Sequence, residues 1–309
     1  MLRAGLLYLS EQPRVFRFVR SNGLARRFAS RFVAGETLDT SALAVRELNS
    51  RGIMASLDLL GESVSRPGEA EAATREILAT LDRIHSEQLR CNVSIKLSQL
   101  GFDLGRDRCR ANLGTILDRA RSLGIFVRID MEGSAYTQAT LDLFERDLQP
   151  SYGDLVGVVI QSYLYRSAAD VDRLIARRAR IRLCKGAYQE PPEVAFPRKR
   201  DVDRSYVELM ERLLERGNYP AIATHDEKLI AHARKFAQRR DIGADRFEFQ
   251  MLYGVRRDLQ EELVRSGYHV RVYVPFGTQW YPYLLRRLAE RPANIAFILG
   301  NIVRERVRR

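Results

Sequence analysis

Short β-rich runs alternate with longer helical patterns along this chain, and no other feature constrains the fold as much. The runs are residues 52–57, 92–97, 125–130, 155–161, 181–184, 221–224, 246–250 and 270–274. Between them, 69–88 carries Ile77, Leu81 and Ile84 at helical spacing, and 106–123 carries Leu113, Ile116 and Leu117. Residues 167–179, 201–217 and 226–239 repeat the pattern. Gly124, Gly217 and Gly267 stand just after helical patterns, where a left-handed cap belongs. Strands alternating with helices make βαβ units and a parallel sheet. Eight units predict an α/β fold, a closed (β/α)8 barrel of the TIM type, with a doubly wound open sheet as the alternative. Residues before about 46 show helical patterns and no strand. The expected organisation is an N-terminal helical arm (1–45) and a catalytic barrel (46–309).

The 309-residue length supports a large core without disulfides. No apolar run approaches the length of a membrane helix. The N-terminus is too short in apolar residues and too charged for a signal peptide. Cys91, Cys109 and Cys184 have no metal-ligand spacing, and no metal site is expected. An odd number of cysteines suits a reducing cytoplasm. The net charge is +12, with 51 Lys and Arg against 39 Asp and Glu. These charges are interleaved, and no element reads as a base-reading helix, so nucleic acid is not the expected partner. Phosphate-loop, dinucleotide-fingerprint and nucleophile-elbow motifs are absent from the sequence.

Parallel barrels build their sites at the carboxyl ends of the strands. Polar groups gather there: Lys96, Asp130 with Met131 and Glu132, Gln161, Arg182 with Lys185 and Gly186, Thr224 with His225, Gln250, and Tyr273. Lys96 and Asp130 read either as ligand contacts or as a structural ion pair. His225 reads as a ligand contact or a satisfied core histidine, and Gln161 and Gln250 as ligand contacts or partners of loop amides. Gly186 reads as a close backbone approach or a turn. A helical stretch over about 279–291 puts Tyr283, Arg286, Arg287 and Glu290 at i, i+3, i+4 and i+7, on one face. That face is a paired-arginine clamp for a small carboxylate or a solvated ion-pair surface. The residues alone thus point to an anionic small molecule in a barrel mouth. One chemistry compatible with them is a Schiff-base aldolase or lyase using Lys96 or Lys185.

The strings Ser94-Ile95-Lys96-Leu97-Ser98, Arg128-Ile129-Asp130-Met131-Glu132, Arg182-Leu183-Cys184-Lys185-Gly186-Ala187-Tyr188, Ala223-Thr224-His225-Asp226, Phe247 to Gly254 and Tyr283 to Glu290 resemble the proline dehydrogenase family. They occur in the family's order over about residues 50–300, and the length resembles the monofunctional bacterial form. The resemblance implies a distorted (β/α)8 barrel with a C-terminal helix over its mouth. It also implies FAD as cofactor and oxidation of L-proline to Δ1-pyrroline-5-carboxylate by hydride transfer from C5 to flavin N5. Electrons would pass to a membrane quinone. The implied setting is cytoplasmic, peripheral to the inner membrane, with transient membrane-surface contact, for which the basic C-terminal tail is the candidate.

Residue by residue, the resemblance implies that Lys96, Arg286 and Arg287 bind the proline carboxylate. Tyr188 and Tyr273 would pack on the ring. Asp130, paired with Lys96, and Arg182, near N5, would carry the catalytic roles. Met131, Gln161, Arg182, Lys185, Gly186, Ala187, Thr224, His225, Gln250 and Glu290 would lie at FAD. Tyr273 is associated in the family with proline rather than 4-hydroxyproline.

Overall fold

The computed structural model describes residues 30–290 apart from Glu62; of residues 286–290 it describes the backbone only. Eight parallel strands close into a barrel in sequence order. They are β1 (Met54–Leu59), β2 (Cys91–Ile95), β3 (Val127–Ile129), β4 (Val156–Gln161), β5 (Arg180–Cys184), β6 (Ala221–Ala223), β7 (Glu248–Leu252) and β8 (His269–Phe276). The ring shuts where β1 pairs with β8, Ser56 opposite Tyr273. The open-sheet alternative is thereby excluded.

The helices pack outside: α1 (Leu38–Ser50), α2 (Pro67–Ser86), α3 (Arg106–Leu123), α4 (Ser134–Leu143), α5 (Ser167–Ala176), α6 (Lys199–Arg216), α7 (Glu227–Arg239), α8 (Arg257–Arg265) and α9 (Trp280–Glu290). Helix α1 begins at Thr37, whose hydroxyl accepts from the Thr40 amide, and it contacts β1 and β8. It therefore crosses the expected boundary at residues 45/46, while residues 1–29 lie outside the described residues. Gly124 and Gly267 adopt the left-handed conformation, with φ of 67° and 84°. Gly217 does not: its φ is −76°. Its reason is space, since a Cβ there would stand 2.5 Å from the Leu213 carbonyl oxygen.

Along β1 the alternation is sharp. Ala55, Leu57 and Leu59 belong to the apolar core, whereas Ser56 and Asp58 are buried polar residues of the opposite face. The barrel lumen is therefore polar. Contacts between non-adjacent strands cross it, such as Arg182 of β5 to Ser94 of β2, 3.0 Å. The Arg128 guanidinium, 1% exposed, spans from β3 toward β4 and β5. Its Nη1 donates to the Val158 carbonyl (3.1 Å) and to that of Arg180, and its plane lies over Phe126. Gly157 on β4 makes that span possible. A Cβ there would meet the Arg180 oxygen at 2.4 Å and Arg128 Nη1 at 2.6 Å. Lower in the barrel, Arg271 pairs with Glu248 at 2.9 Å and donates to the Ala55 carbonyl at 2.8 Å. Burial alone would raise the Glu248 pKa, but Arg271 outweighs it and brings it down to about 2.

Candidate active site

The carboxyl ends of β1, β2, β3, β5 and β8 bring five side chains into one hydrogen-bonded cluster. Asp130, directly after β3, accepts from Arg182 Nη1 at 2.7 Å and from the Tyr273 hydroxyl at 2.8 Å. The Arg182 guanidinium carbon also stands 5.3 Å from the Tyr273 ring centroid. The second Arg182 nitrogen reaches Ser94 Oγ, which is itself 3.0 Å from Ser56 Oγ. Arg182 is thus held from two sides. Burial pushes the Tyr273 phenol well above its ordinary pKa, and the Asp130 and Asp58 carboxylates add to that shift. Tyr273 therefore remains a hydrogen-bond donor.

Lys96 does not pair with Asp130 as expected. Its Nζ stands 2.8 Å from Asp58 Oδ1, a residue of β1 that the sequence reading did not single out. Asp130 is engaged by Arg182 and Tyr273, which leaves Asp58 as the direct partner. Burial alone would lower the Lys96 pKa, but Asp58 and Asp130 together outweigh it and raise it. The lysine is consequently a cation and a poor amine nucleophile. Lys185 is likewise engaged, at 2.6 Å from Asp203 and 3.4 Å from Asp226. Neither lysine offers the free amine that a Schiff-base aldolase requires, and that reading is set aside.

The ends of β4 to β7 carry the remaining polar groups. Gln161 donates to the Glu132 carbonyl at 2.9 Å, and Gln250 donates to the Glu248 carboxylate. His225 Nε2 accepts the Leu252 amide at 2.8 Å, so its proton resides on Nδ1. Thr224 Oγ1 accepts the Asp226 amide at 3.1 Å, and the Asp226 side chain caps α7. Met131 is buried beside Glu132, which accepts from the Ser98 amide at 3.1 Å. Ala187 and Tyr188 are half-buried in the loop after β5. Gly186 has φ +111°, and a Cβ there would strike the Tyr163 ring at 2.5 Å. The neighbour that demands glycine is thus Tyr163.

Helix α9 carries Arg286, Arg287 and Glu290 at the expected spacing; their side chains lie outside the described ones. Its first turns are anchored beside the end of β1. Trp280, Tyr281, Tyr283, Leu284 and Leu285 cluster with Val33 and Leu60, and Trp280 Nε1 donates to Glu36 at 2.9 Å. The segment after β8 therefore starts at the rim of the mouth.

Among the described residues no group of His, Cys, Asp and Glu is arranged to hold a metal, and no helix is long and apolar enough to cross a membrane. The basic tail lies outside the described residues.

The family profile for proline dehydrogenase matches residues 42–299. The chain is 40% identical to proline dehydrogenase 1 of Bacillus subtilis (strain 168) over 305 residues, covering 99% of this chain and 100% of that protein. It is 41% identical to the proline dehydrogenase of Deinococcus radiodurans over 308 residues, 98% of each. Among solved structures it is similar to proline utilization A (PutA) from Bdellovibrio bacteriovorus inactivated by N-propargylglycine. The TM-score is 0.82 at 25% identity, over 90% of this chain and 34% of that one. The chain thus spans about a third of that larger protein.

Proposed function

This chain belongs to the proline dehydrogenase family, and from that premise we propose how its barrel mouth carries out the reaction. The enzyme oxidises L-proline, the first step of proline catabolism. The observation that carries the site assignment is a buried cation, Lys96, beside the Arg182–Asp130–Tyr273 cluster at the carboxyl ends of the strands.

The residues at the mouth fit FAD by their chemistry. Amide, guanidinium, ammonium and hydroxyl groups at the ends of β4 to β7 form a donor set suited to a dinucleotide. The buried Nε of Arg182 has no hydrogen-bond partner. Met131, Gln161, Arg182, Lys185, Gly186, Ala187, Thr224, His225, Gln250 and Glu290 would hold it. When bound, FAD supplies the acceptor for the hydride from C5 of proline.

The chain's own residues supply orientation and charge. Lys96, Arg286 and Arg287 bind the substrate carboxylate, and Tyr188 and Tyr273 pack against the ring. Fixing the ring lowers the entropic part of the barrier. Asp130 holds Arg182 and the Tyr273 hydroxyl in register, so that the guanidinium presents positive charge where electrons arrive. A quinone of the membrane is the proposed final acceptor, reached by transient surface contact.

The test is the absorption spectrum of the purified protein before and after anaerobic L-proline. Flavin bands that bleach on adding proline are the expected result. A flavin-loaded protein that fails to bleach would refute the proline assignment, and a protein unable to take up FAD would refute the cofactor.

A further inference from the structure

Asp58 is 1% exposed and lies on β1 beneath the mouth. One of its oxygens stands 2.8 Å from Lys96 Nζ, and the other, Oδ2, has no hydrogen-bond partner. A buried carboxylate with a single cationic partner is costly unless that partner needs it. The groups facing Lys96 come from every neighbouring wall. They are Asp58 on β1, Asp130 after β3, Tyr188 after β5 and the β8 phenol Tyr273, which bonds Asp130. Asp130 is already bound to Arg182 and Tyr273, so Asp58 is the direct counter-charge.

We propose that Asp58 is a positioning residue that holds Lys96 cationic and aimed at the substrate carboxylate. The inference rests on the reading of Lys96 as a carboxylate-binding residue. Without Asp58, burial would work on Lys96 with less opposition. Its pKa would fall, and a neutral amine would meet the carboxylate at alkaline pH.

The probe is cyclopentanecarboxylate, a ring carboxylate without the amine, bound to the FAD-loaded enzyme and followed by calorimetry across pH. Asp58→Asn is expected to weaken it about ten- to a hundredfold, the worth of a charge-assisted hydrogen bond. Its affinity should also begin to fall at lower pH than in the wild type. In a Lys96→Gln background the same substitution should add little, because the pair acts as a unit. For proline, KM should rise more than kcat falls. If Asp58→Asn does not fold, Asp58→Ser asks the same question with a smaller, uncharged side chain. Wild-type affinity with an unmoved pH profile would overturn the proposal, as would full additivity with Lys96→Gln. The binding readout needs no turnover. A wild type that binds the probe through Lys96 but does not oxidise proline would sink the functional reading and leave this one standing.

Discussion

Gly157→Ala sets two physical rules against each other. Gly157 is not in the left-handed region, so intrinsic preference alone favours alanine in a strand by about 0.5–1 kcal/mol. Packing says the opposite. The new Cβ would stand 2.4 Å from the Arg180 carbonyl oxygen, 2.6 Å from Arg128 Nη1 and 2.8 Å from Phe126 Cζ. Overpacking of this kind costs about 1–3 kcal/mol. Pushing the guanidinium aside forfeits a charged hydrogen bond to a buried carbonyl, about 1.5–3 kcal/mol more. The net expectation is a loss of about 2–5 kcal/mol after the propensity gain is subtracted. With unfolding entropy near 2.1 cal/mol/K per residue, that lowers Tm by about 3–8 °C. The assay is thermal unfolding at fixed scan rate and saturating FAD, with urea unfolding alongside. Gly114→Ala is the control, because Gly114 lies within α3 with nothing within 4 Å of a new Cβ. It should raise Tm by about 1 °C. A Gly157→Ala protein as stable as the wild type, or more so, would refute the claim that this glycine exists to admit Arg128.

Replacing Arg286 or Arg287 with methionine should raise KM for proline about tenfold or more with a smaller effect on kcat, checked by steady-state kinetics, because a carboxylate contact is made in ground and transition states alike. Tyr273→Phe leaves the buried Asp130 short of one donor and should lower kcat/KM by about tenfold in steady-state assays, since a hydrogen bond to a charged group is worth about 1.5–3 kcal/mol. The Glu248 pKa is depressed from 4.5 to about 2 in the folded state. Its stabilisation is therefore fully present above about pH 4.5 and lost as pH falls toward 2. That amounts to about 3 kcal/mol, and Glu248→Gln should flatten the acid limb of the stability curve measured by urea unfolding.

The barrel was legible because branched and aromatic residues crowd into eight short runs between amphipathic stretches, a pattern few folds satisfy. The short helix α4 carried little amphipathic signal and runs on through a π turn at Phe144–Leu148. At the site, residues just after strands were visible because polar side chains interrupt apolar runs. Asp58 escaped for a simple geometric reason. The first run was expected to end at residue 57, whereas β1 extends to Leu59, so Asp58 sat in what read as loop. Partners across the lumen were illegible in principle. That Arg182 bonds Asp130 and Ser94 depends on which strands face one another through the barrel, and that Arg271 reaches the Ala55 carbonyl depends on β8 closing onto β1. Lys185 read as a Schiff-base lysine or an FAD contact, and its two carboxylate partners come from α6 and the loop before α7.

The seam between β1 and β8 has a consequence for how the chain is made. Arg271 leaves the ribosome 216 residues after Ala55, whose carbonyl it satisfies. At about 5–20 residues per second the first strand waits about 10–40 s for its neighbour. Throughout that interval the nascent sheet shows two open edges, and its polar interior is flooded with water. Ring closure therefore waits until β8 has been made, late in synthesis. A chain arrested at residue 268, before β8, should remain protease-sensitive however long it is held.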